Sequence, residues 1–78
     1  MNIKALEEYM IFRGEQAPRS RFARITKMSP ANATYKFQSG NLSLREAAAV
    51  ALYYGMSLED FVRIFLDDVY ELESNTQL

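Results

Sequence analysis

Nine lysines and arginines and ten aspartates and glutamates carry all the side-chain charge of this 78-residue chain, which holds neither histidine nor cysteine. The missing imidazole removes the usual general base and a common zinc ligand. The missing thiol removes disulfides, thiolate metal sites and a cysteine nucleophile. Asp60, Asp67, Asp68, Glu71 and Glu73 crowd the rear of the chain. Carboxylates in pairs can hold magnesium or move protons, but at this spacing on a helix tail they read as a solvated surface. With no phosphate-cradling glycine loop either, the sequence predicts no enzyme, no metal and no cofactor.

The chemistry that remains is recognition by charge and hydrogen bonding. Up to and including Arg45, Lys4, Arg13, Arg19, Arg21, Arg24, Lys27, Lys36 and Arg45 stand against Glu7, Glu8 and Glu15, while after it Arg63 alone faces seven acids. The net charge of -1 therefore conceals a front part with a surplus of five positive charges and a rear with a surplus of six negative ones. That asymmetry suits a small nucleic-acid binder, whose cations are needed on the phosphate side only.

Helices are the elements that the pattern supplies to position these groups. The length fits one domain with a core just large enough to fold unaided, and the boundaries predicted are 1–73 for the domain and 74–78 for a frayed tail. The opening MNIKALEEYM carries acids and lacks a long apolar run, so it reads as neither a signal peptide nor a membrane span. Five helical segments and no strand are predicted. The first covers 2–13, with Ile3, Leu6, Met10 and Phe12 as its apolar stripe and Gly14 as its stop. A loop over 14–18 follows, and Ser20 is expected to cap a short helix to about residue 27 that buries Phe22, Ala23 and Ile25.

Ser29 as cap, Pro30 at the first helical position and Gly40 as stop bracket a third helix over 30–39. Ser43 and Glu46 form a capping box for the fourth, which Gly55 ends, with Leu44, Ala47, Ala48, Ala51 and Tyr54 assigned to one face. Ser57 and Asp60 repeat the device for the fifth, where Leu58, Phe61, Val62, Phe65, Leu66 and Val69 make a stripe. Tyr53, Tyr54, Met56, Ile64 and Tyr70 add apolar surface beyond the needs of so small a core, which points to self-association through Ile64, Phe65 and Leu72.

The order and spacing of several marks carry more information than any one of them. In FARITKMSPANATYKFQSGNLSLREAAAVALYYGMSLEDF these are Phe22-Ala23, Met28-Ser29, Gly40-Asn41, the Ser-Leu-x-x-Ala run from Ser43 and the Gly-x-Ser-x-x-x-Phe run from Gly55. Over roughly residues 6–65 the chain resembles the Cro and lambda-repressor-like (XRE-type) helix-turn-helix family, especially its short phage-type regulators. The resemblance implies an all-α, five-helix domain whose second helix braces against DNA while the third enters the major groove.

It also implies base contacts from Pro30, Ala31, Asn32, Thr34, Tyr35 and Lys36. Asn32 would pair with adenine, Ala31 and Thr34 would touch a thymine methyl, Tyr35 would bond or stack, and Lys36 would reach guanine or a phosphate. Arg19, Ser20, Arg21, Arg24, Gly40 and Asn41 would hold phosphates. The partner implied is a double-stranded DNA operator, bound by a homodimer in the cytoplasm of a bacterium or phage-infected cell, with repression or promoter competition as the outcome. Three departures stand out: Lys27 replaces the family's turn glycine, Ala33 replaces a larger core aliphatic, and Pro18 and Arg19 look like extra loop. Together with the acidic rear, they motivate an alternative, a helix-turn-helix scaffold acting by protein contact. It would serve as an antirepressor or as an inhibitor of a nucleic-acid enzyme of the anti-CRISPR kind, and a partner-bound antitoxin would combine both activities.

Overall fold

In the computed structural model, which describes residues 1–69, the chain is all-helical, and no strand occurs among the described residues. The helices are α1 (Ile3–Phe12), α2 (Pro18–Thr26), α3 (Pro30–Ser39), α4 (Leu44–Tyr54) and α5 (Leu58–Phe65). A bend at Leu66 leads into a further helical stretch at 67–69, one segment more than the five predicted. The predicted boundary at 73, the tail over 74–78, Tyr70 and Leu72 lie outside the described residues. Among the described residues no helix is long and apolar enough to cross a membrane.

Short polar caps start most of these helices. The Asn2 carboxamide accepts from the Ala5 amide at 3.0 Å, Ser29 Oγ from Asn32 at 3.2 Å and Ser57 Oγ from Asp60 at 3.1 Å. The Ser43 capping box is complete, with Glu46 Oε1 accepting from the Ser43 amide at 2.8 Å. Ser20, however, is not a cap. Proline's fixed φ and missing N–H suit the first helical position. Pro18 therefore begins α2 three residues early, Ala17 occupies the cap position without a side-chain bond, and Pro18 and Arg19 extend the helix rather than the loop.

Three helices end by one device, in which the residue just after the bend donates back to a carbonyl five positions earlier. Glu15 donates to Met10 at 3.0 Å, Met28 to Ala23 at 3.0 Å and Met56 to Ala51 at 2.9 Å. Each needs a left-handed residue at the bend. Gly14 and Gly55 supply it after α1 and α4, but after α2 it is Lys27, at φ 58°. A side chain there costs about 1–2 kcal/mol.

Buried Leu6, Met10, Phe22, Phe37, Val50 and Ile64 lie at the centre of the core. Helix α2 packs against α1, α3 and α4, and α1 against α5. The Asn2 amide donates to the Ile64 carbonyl at 2.8 Å, and the Met1 ammonium meets Asp67 at 2.9 Å, so the front of the chain is held to its rear. Ala23 and Ala33 let α2 and α3 approach, and the rings of Phe22 and Phe37 meet edge to face with centroids 5.2 Å apart. Phe37 thus fills the space that Ala33 leaves.

Several predicted core positions lie outside. Phe12 is 87% exposed, Leu44 75% and Leu58 78%. Each is the first or last residue of its helix, where the helix overhangs its neighbours. The buried face of α4 is Ala47, Val50 and Tyr54, and that of α5 is Ile64 and Phe65 beside half-buried Phe61. Leu66 and Val69 remain exposed. Ile64, fully buried, and Phe65, nearly so, serve the core of this chain, because an i, i+3, i+4 face from Phe61 turns them inward. Neither has surface to offer a second copy.

Candidate nucleic-acid interface

Four of the nine side-chain cations of this chain are occupied by the protein itself. Arg13 Nη1 donates to the Tyr9 hydroxyl at 2.7 Å and to the Tyr54 carbonyl at 2.9 Å, tying the end of α1 to the end of α4. Arg21 Nε lies 3.1 Å from a Glu15 carboxylate oxygen, and the Tyr54 hydroxyl donates to the same carboxylate at 2.9 Å. Burial first, and then the bond to Glu15, push the Tyr54 phenol above its ordinary range. The same carboxylate raises the Arg21 guanidinium further. Arg63 pairs with Asp60 at 3.2 Å.

Lys36 lies 3.3 Å from Glu46, on the edge of α3 that faces α4. Burial alone would raise the Glu46 carboxyl, but the Ser43 amide and the Lys36 ammonium outweigh it and hold the group below the usual carboxylate range. Two predicted contacts are thereby engaged inside the fold: Arg21 as a phosphate ligand and Lys36 as a base or phosphate reader. Pairing of Arg24 with an acid of α1 does not occur among the described residues; Arg21 and Glu15 pair instead.

A groove of about 530 Å³ separates α2 from α3. Arg19, Ser20, Arg24, Lys27, Pro30 and Thr34 line it over a floor that includes Ala23 and Met28. Its three cations have no carboxylate within ion-pair distance among the described residues, and Arg19 lies over the edge of the core with its guanidinium 5.8 Å from the Phe37 ring centre. Pro18 at the start of α2 leaves the Arg19 and Ser20 amides without partners within the helix, so hydrogen-bond donors and positive dipole meet at the same groove.

The candidate readers sort by their place around α3. Ala33 and Phe37 face inward. Pro30 and Thr34 form the groove edge, whereas Ala31, Asn32 and Tyr35 are exposed on the outer face. Gln38, three residues beyond Tyr35, is exposed on that face too. It can bond adenine bidentately, and its i+3 and i+7 relation to Tyr35 and Ala31 was the available signal. Lys27 is the other residue that pattern reading missed as a binding group, since its turn position drew attention only to its backbone. Gly40 ends α3 in the left-handed region and Asn41 is exposed beside it, about 15 Å along the helix from Pro30 and about 9 Å from Thr34 at the groove edge. The predicted phosphate set thus divides between the two ends of α3, with Arg21 withdrawn. No family model, no curated protein and no solved structure matches the chain.

Proposed function

We propose that this protein is a sequence-specific double-stranded DNA-binding regulator of helix-turn-helix type, with α2 bracing on the backbone and α3 entering the major groove. The supporting observation is the distribution of unpaired charge: of the five side-chain cations without a hydrogen-bond or ion-pair partner among the described residues, Arg19, Arg24 and Lys27 line the α2–α3 groove and Lys4 and Arg45 lie outside it, while Arg13, Arg21, Lys36 and Arg63 have partners. Like charges gathered without counterions repel one another, and a polyanion laid along the groove relieves that repulsion. The outer face of Ala31, Asn32, Tyr35 and Gln38 offers the small apolar and amide groups that read A·T-containing steps.

Dimerisation on a two-fold operator extends this reading. With Ile64 and Phe65 buried, it requires other side chains, and Leu44, Leu58 and Leu66, three of the four exposed leucines of α4, α5 and the bend after it, are available. In vitro selection from a random duplex library, followed by titration at low and moderate salt, tests the proposal: a palindromic motif and binding that falls steeply with salt are expected. A second reading, regulation by protein contact, draws on Leu52 and Tyr53, exposed beside Ile25. Absence of duplex binding, with stoichiometric recovery of one protein partner, is its expected signature and overturns the first.

A further inference from the structure

We propose that Lys27 is a phosphate-contacting residue, kept in a strained turn for the charge it delivers to the groove; the inference rests on the DNA-binding reading above. Its backbone does nothing that glycine would not do better. The bends after α2 and α4 are near copies, with Lys27 at φ 58°, ψ 41° and Gly55 at φ 61°, ψ 41°. Their hydrogen bonds match as well: Lys27 donates to Arg24 at 3.4 Å and Met28 to Ala23 at 3.0 Å, where Gly55 donates to Leu52 at 3.3 Å and Met56 to Ala51 at 2.9 Å. Among the described residues Lys27 is the only non-glycine with positive φ.

Its side chain brings no compensation within the described fold. No hydrogen bond or ion pair of Lys27 Nζ occurs there, and the residue is exposed. A lysine also adds to the charge already carried by Arg19 and Arg24 along the same groove. Local strain and like-charge crowding at one exposed position therefore both oppose the folded state. Strain of that kind clusters at sites that bind ligands, and the ligand that suits cations set along one groove from the start of α2 to the turn after it is a row of backbone phosphates, one of them within reach of Lys27. From the turn, a flexible four-carbon stem reaches a phosphate as a point charge with no demand on base sequence.

The test uses the whole chain and a duplex that it binds, comparing Lys27→Gly, Lys27→Gln and Lys27→Arg in denaturation and in salt-dependent titration. Lys27→Gly should melt higher by about 4–8 °C, because relief of the left-handed strain exceeds the cost of a freer unfolded chain by roughly 1 kcal/mol, which gives that shift in a domain of this size. It should bind more weakly by about eightfold near 0.1 M salt, and its log–log salt slope should fall by about 0.9, the change for one lost phosphate contact. Lys27→Gln, which keeps the strain and loses the charge, should show the weakened binding without the gain in melting temperature. Lys27→Arg should keep wild-type affinity and slope. Wild-type affinity and slope in both Lys27→Gly and Lys27→Gln would overturn the assignment while leaving the DNA-binding reading intact. If the wild type binds no duplex at all, that reading fails and takes this one with it.

Discussion

Glu15→Gln probes the boundary between the charges that hold the fold and those left for a partner. The Glu15 carboxylate accepts from the nearly buried Tyr54 hydroxyl at 2.9 Å and pairs with Arg21 at 3.1 Å. A hydrogen bond to a charged group contributes about 1.5–3 kcal/mol and one between neutral groups about 0.5–1.5. Exchange of the carboxylate for an amide of the same shape should therefore cost about 1–1.5 kcal/mol through Tyr54. In a domain of this size each kcal/mol lowers the melting temperature by about 4–8 °C.

The same substitution releases the Arg21 guanidinium one turn from Arg24 and removes a negative charge beside Ser20. Binding to a duplex should then tighten, with the log–log salt slope steeper by about 0.9 as one more phosphate is engaged. Thermal denaturation followed by circular dichroism, alongside fluorescence anisotropy at several salt concentrations, reads both effects. Tyr54→Phe serves as control: it should lower the melting temperature and leave the slope alone. If Glu15→Gln lowered the melting temperature with no change in affinity or slope, the idea that Glu15 withholds Arg21 from phosphate would be refuted. An unchanged melting temperature would refute the contribution assigned to the Tyr54 bond.

On the outer face of α3, Asn32→Ala and Tyr35→Ala should each relax preference at particular base pairs by about 1–3 kcal/mol while leaving non-specific affinity nearly intact, as selection and competition titrations would show. Removing the Phe37 ring should cost about 3–5 kcal/mol on Phe37→Ala, because the cavity opens beneath α3, and urea denaturation should find Phe37→Leu much milder. The Glu46 carboxyl lies below its ordinary value in the folded chain, so the stability it contributes is present above the unfolded value of about 4.3 and is lost as pH falls through the folded one. Acid titration of the melting temperature should therefore be shallower below about pH 4 in Glu46→Gln than in the wild type.

Local signals in the sequence gave sound helix limits wherever one residue fixes the backbone. Ser29 with Pro30, Ser43 with Glu46, and Gly40 and Gly55 all act in the structure as their chemistry demands. Pro18 is readable by the same rule, yet alanine at 17 has no side-chain oxygen to cap a helix, so Ser20 two residues after Pro18 looks like the better start. Burial was less legible. Leu44, Leu58 and Phe12 fit the apolar period but stand at helix ends, and only the packed arrangement reveals which ends overhang. Charge partners were the least legible part: Arg21 meets Glu15 six residues away, and Lys36 meets Glu46 across two helices. Those pairings depend on how α2, α3 and α4 are set against one another, which no periodicity encodes.

Two side chains of α3, Ala33 and Phe37, attach it to the core, while Ala31, Asn32, Tyr35 and Gln38 take no part in that attachment. On the DNA-binding proposal, fold and recognition are thus written on separate positions of one ten-residue helix. Substitutions on the outer set can recode the preferred sequence without drawing on the small stability of a short domain, so variants of new specificity should be obtainable in few steps. Lys36 and Thr34, which also face α4 and the α2 groove, are the positions where such recoding would disturb neighbouring helices.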